Sequence, residues 1–107
     1  MVGAIAGAAM GAAVACSAVD AAEVPSDADI LAITHKHCVP CHAAEPTHPA
    51  FDKPPARIML ETIDQIRSYA PRILDQVTVT RAMPLGNEAG MTDEEREKVG
   101  AWIEGHQ

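Results

Sequence analysis

Several things are scarce in this chain, and each scarcity excludes something. Among 107 residues there is one Phe, one Tyr and one Trp: Phe51, Tyr69 and Trp102. Lys and Arg together number 8 against 15 Asp and Glu, giving a formal net charge of −7. With no basic stripe to neutralise phosphates, nucleic acid is excluded as a partner. The acidic balance suits docking onto a basic protein surface, and it serves plain solubility equally well. There is no second C-x-x-C pair and no downstream pair of closely spaced histidines to complete a tetrahedral zinc site. No alternation of strand and helix patterns is present to build a thioredoxin-like sheet. The length fits one domain and a leader. A domain this small and this poor in aromatics has little core of its own.

What is present is Cys38-Val39-Pro40-Cys41-His42. This C-x-x-C-H run is the pattern for covalent attachment of a c-type haem. Each thiol adds across one haem vinyl group, so two cysteines are needed at a spacing that matches the vinyls. The histidine that follows is then held beneath the iron as its proximal ligand. The spacing keeps all three groups on about one helical turn. A buried porphyrin would also supply the apolar volume that the composition lacks.

Residues 2–19 carry no charge and are mostly Ala, Gly and Val, with a small-x-x-x-small ladder at Gly3, Gly7 and Gly11. Residues 1–22 read as a signal peptide or a single membrane-anchoring helix, and 23–26 as a linker. Small residues at Cys16-Ser17-Ala18 or Val19-Asp20-Ala21 suit cleavage, and Cys16 gives a looser lipoprotein reading. No Lys or Arg precedes the apolar run, so the expectation is that translation starts upstream or that the chain is a piece of a longer membrane protein. Every reading places the domain in the periplasm, soluble or anchored to the inner membrane, because c-type haem is attached outside the cytoplasm.

The rest is predicted to be helical. Ser26 caps a helix from about Asp27 into the haem motif, with Asp29 closing an imperfect capping box. His35 and His37 at its end are read as solvated or helix-terminal, not as iron ligands. Four prolines (Pro46, Pro49, Pro54, Pro55) make residues 43–56 a wrapped loop with Phe51 as its apolar plug. This loop is expected to offer a backbone carbonyl to the second ring nitrogen of His42. His48 is read as a surface loop residue. Thr62 caps a helix over 63–69, and Pro71 starts another after a bend near Ala70. Arg57, Tyr69 and Arg72 are candidate donors to haem propionates. Thr92-Asp93-Glu94-Glu95 is a full capping box opening a last helix to about Glu104, with Val99, Trp102 and Ile103 inward and Gly100 small enough to admit a neighbour.

Met83 stands at the head of the loop Met83-Pro84-Leu85-Gly86-Asn87 and is the expected sixth iron ligand. Met59 and Met91 compete, the first as apolar packing and the second as the lead-in to the last helix. His/Met ligation raises the reduction potential and leaves no open iron site, which points to electron transfer and not to catalysis.

Helix, C-x-x-C-H, wrapped loop, Met-Pro and a terminal helix with an inward Trp together resemble class I cytochrome c over residues 27–105. The resemblance implies an all-α fold of three to five helices around one covalently bound haem c, with residues 27–107 as the cytochrome domain. More narrowly, residues 38–44, 46–48, 82–87 and 90–96 look like the C-terminal cytochrome domain of membrane-bound bacterial urate oxidases (urate hydroxylases). That family carries a multi-span membrane part, and this chain has at most one span. Carried over, Cys38 and Cys41 are the attachment sites, and His42 and Met83 the iron ligands. The implied function is a one-electron carrier between a protein donor and a terminal oxidase or other acceptor, the donor being a urate-oxidising membrane protein. The alternatives are a cytochrome fragment or subunit of such an oxidase, and a dithiol or metal-binding module without haem.

Overall fold

Residues 24–106 are described by a computed structural model; the leader, with Cys16 and the apolar run 2–19, lies outside the described residues, as does Gln107. Among the described residues there are four α-helices and no strand. None of these helices is long and apolar enough to cross a membrane.

Helix α1 spans Asp27–His37. The Ser26 hydroxyl accepts from the Asp29 amide at 3.1 Å, and the Asp29 carboxylate accepts from the Ser26 amide at 3.2 Å. The capping box is therefore complete: Asp is long enough here to do what Glu or Gln usually does. The helix stops at Cys38 and does not continue through the C-x-x-C-H run.

Helix α2 covers Ile63–Ser68 behind a second reciprocal box, Thr62 with Gln65. Helix α3, Ala70–Leu74, begins with Pro71 in its first turn and runs directly into a π-helical stretch, Asp75–Val79, in which the Thr80 amide reaches back to the Asp75 carbonyl at 2.9 Å. The bend near Ala70 is as the sequence predicts, since Pro71 has no amide hydrogen with which to continue α2. The widening into a π turn has no local sequence signature. Helix α4 spans Asp93–Gly105 behind the Thr92–Glu95 box, and Gly105 lies inside the helix, one residue beyond the predicted end.

The core joins all of these. Ile30 and Ile33 of α1 meet Leu60, Ile66, Val77, Met91 and, from α4, Val99, Trp102 and Ile103. Trp102 is 1% exposed, and its indole N–H donates to the Asp27 carboxylate at 2.9 Å, pinning the end of α4 to the start of α1. At Gly100 a Cβ would stand 3.3 Å from Thr78 Cγ2, so α4 lies tightly against the π stretch.

Candidate functional site

The C-x-x-C-H run hangs on the C-terminus of α1. The Cys38 and Val39 amides both donate to the Thr34 carbonyl, at 2.7 and 2.9 Å. The Cys41 and His42 amides donate back to the Cys38 carbonyl, at 3.1 and 2.8 Å. These short-range bonds turn the chain tightly at the helix end. Both cysteines are unbridged and half-buried. Burial, then the neighbouring Cys41, pushes the Cys38 thiol up to about 12. Burial, then the Glu88 charge, pushes Cys41 up as well. Among the described residues no three His, Cys, Asp or Glu side chains gather as a metal site.

The carbonyl behind His42 comes not from the loop 43–56 but from Ile58, two residues past it. The His42 imidazole Nδ1–H donates to the Ile58 carbonyl at 2.8 Å, and the Leu60 amide donates to the His42 carbonyl at the same distance. A carbonyl can only accept, so Nδ1 carries the proton and the Nε2 lone pair is left free for a ligand. Ile58 is presented by the turn Pro55–Arg57, where Ala56 (φ 55°) and Arg57 (φ 61°) are both in the left-handed region. Phe51 is half-buried, its ring 5.8 Å from that of His48.

Met83 is half-buried and packs against the same apolar cluster as Cys38. Its amide donates to the Gln76 carbonyl at 3.0 Å, and its carbonyl accepts from Arg96 Nη1 at 2.8 Å. The loop beyond it is closed by Asn87, whose side chain accepts from the Met91 amide (2.7 Å) and donates to the Met91 carbonyl (3.2 Å). Met91 is 5% exposed in the core, and Met59 is half-buried.

Some predicted residues stand elsewhere. His37 is helix-terminal, the last residue of α1, but it is not solvated: its side chain has no exposed surface, and its Nε2–H donates to Glu95 of α4 at 3.1 Å, because α1 packs directly on α4. His35 is exposed and bonds the Glu61 carbonyl. His48 is only 24% exposed and pairs with Glu88, linking the proline-rich loop to the Met83 loop. Arg57 and Arg72 are exposed, and Tyr69 packs half-buried against the core.

The donor set suits a c-type haem: two free thiols three residues apart, an imidazole with Nδ1 already engaged, and a thioether against the same apolar core as Cys38. Two cavities lie away from these residues. One, of about 420 Å³, runs between the π stretch and α4, and one of about 250 Å³ lies beside Trp102 and His106. Sequence reasoning missed Arg96. Its spacing to Val99 and Ile103 (i, i+3, i+7) is a helical-face signal that places it inward. No family model, curated protein or solved structure matches the chain.

Proposed function

We propose that this chain is a one-electron carrier of the class I cytochrome c type. One haem c would be joined through Cys38 and Cys41, with iron held by His42 and Met83 and the domain facing the periplasm. Bound there, the haem would supply ferric–ferrous cycling, and the protein would set its potential and its exposure. The observation that carries this reading is the Nδ1–H bond from His42 to the Ile58 carbonyl at 2.8 Å, directly beside two unbridged thiols. A histidine used as a metal ligand characteristically donates its other ring hydrogen to such an acceptor, which fixes its tautomer and raises its basicity. Met83, anchored at both its amide and its carbonyl, would supply the thioether. The acidic chain would dock on basic faces of its donor and acceptor.

The test is the optical spectrum of full-length protein made with periplasmic haem attachment. A ferrous c-type α-band together with the ferric sulfur-to-iron charge-transfer band, the latter lost in Met83→Ala, supports the carrier. A chain that takes up no haem favours a dithiol or metal-binding module, and the proposal fails. The likeness of residues 82–87 and 90–96 to the cytochrome domain of membrane-bound urate oxidases motivates a second reading, as redox subunit or fragment of such an enzyme. Reduction of the haem by urate when a urate-oxidising membrane protein is added would favour it, and an unreduced haem in that mixture would count against it.

A further inference from the structure

We infer that Arg96, buried in α4, is the positioning residue that holds Met83 in ligating register and places a buried positive charge beside the iron site. The inference rests on the reading of Met83 as a ligand. Arg96 is 7% exposed. Its Nη1 donates to two carbonyls at once, Val77 at 2.8 Å and Met83 at 2.8 Å. Nη1 carries two hydrogens, so each carbonyl takes one. Gln76, next to Val77, accepts from the Met83 amide at 3.0 Å. Residues 76 and 77 fall in the last turn of the continuous helical run that begins at Ala70 and ends at Val79, where helical carbonyls have no partner further along the same helix. Met83 is thus fastened to the π stretch at both backbone polar atoms, directly through Gln76 and through Arg96 to Val77.

Two further facts separate Arg96 from an ordinary buried arginine. Among the described residues no carboxylate lies within ion-pair distance of it. Its Nε–H is buried and has no hydrogen-bond partner. The guanidinium has two backbone carbonyls as its hydrogen-bond acceptors among the described residues, and it brings its positive charge to the Met83 backbone. That charge favours the reduced state of a neighbouring iron, which is one unit less positive than the oxidised state. The planar fork matters as well: lysine offers a point charge on a flexible stem and does not reproduce the geometry.

The test uses the full chain with haem attached, in wild type, Arg96→Met, Arg96→Lys, Lys98→Met and Met83→Ala. Imidazole competes with Met83 for ferric iron, and its binding is followed by loss of the charge-transfer band; the reduction potential is measured on the same samples. Arg96→Met keeps its haem, binds imidazole about tenfold more tightly, as expected for loss of a charged hydrogen bond, and has a lower potential. Lys98→Met, which removes an exposed charge from the same helix, behaves as wild type. Should Arg96→Met fail to fold, Arg96→Lys decides, with tighter imidazole binding at a nearly unchanged potential. Wild-type imidazole affinity and potential in the folded Arg96 variants overturn the inference alone. A wild type that lacks the band altogether overturns the Met83 ligation and the inference with it.

Discussion

The two sides of the candidate site are built by different means. The His42 side is local: the cysteine turn closes on Thr34 and Cys38, and the loop that buttresses His42 returns within eighteen residues, at Ile58 and Leu60. The Met83 side is remote in character. Its anchors are carbonyls of the π stretch and a guanidinium of α4, and its loop is tied down at Met91, inside the core. The half whose chemistry is written in one pentapeptide supports itself, whereas the half that contributes a single thioether depends on helix packing elsewhere.

The largest test of this contrast is truncation of a buried anchor. Met91→Ala should cost about 2–5 kcal/mol of stability in denaturant unfolding, the usual loss for a buried methionine. Phe51→Ala, at a half-buried ring beside His48 in the proline-rich loop, should cost clearly less. Equal losses would mean that the two loops are equally integrated. Next, Asn87→Ala removes both side-chain bonds to Met91 and leaves an alanine at a left-handed φ of 44°. It should cost about 1–3 kcal/mol, and in holoprotein the ferric charge-transfer band should weaken while haem attachment is unaffected.

The contrast also has a pH signature. The Glu95 carboxyl is held below the usual carboxylate range, first by the Thr92 amide, which outweighs the upward effect of burial, then by His37 and Lys36. With its folded pKa below its unfolded one, its stabilisation is complete above pH ~4.3, the ordinary Glu value, and is lost as pH falls through the folded pKa. Glu95→Gln should therefore flatten that acid limb of the stability–pH curve, whereas Glu88→Gln, exposed on the Met83 loop, should leave it in place.

Two smaller effects sharpen the comparison. Ala56→Gly relieves a left-handed alanine in the turn before Ile58. It should raise thermal stability by less than ~1 kcal/mol, since glycine's unfolded-state entropy offsets much of the relief. His48→Ala removes the Glu88 pair that spans the two loops, and because Glu88 is 69% exposed the loss should be at most ~1 kcal/mol.

The same division explains what was legible in the sequence. Caps are local, so Ser26, Thr62 and Thr92 announced three helix starts, and Pro71 announced the break before α3. The inward face of α4 followed from the spacing of Val99, Trp102 and Ile103, all buried. The need for a carbonyl behind His42 could be stated from ligand chemistry, but Ile58 could not be named, because the path of a four-proline loop is set by tertiary contacts. His37 ends α1 as the helix-terminal reading has it, but its partner could not be named: Glu95 lies 58 residues away, and no local pattern links them. Arg96 escaped notice because a charged residue is assigned to the surface by default, even when its spacing says otherwise.

One oxygen atom ties much of this together. Glu95 Oε1 accepts from the Thr92 amide at 3.0 Å, from the Thr92 hydroxyl at 3.4 Å and from His37 Nε2–H at 3.1 Å. The atom that closes the first turn of α4 is also the atom that fastens α1 to it. Fraying of that turn releases His37, and withdrawal of α1 takes away one of the three donors that hold the carboxylate over the turn. The two helices are far apart in sequence, yet this shared atom predicts that they open together, so their most protected amides should exchange with solvent at a common rate set by a single shared opening.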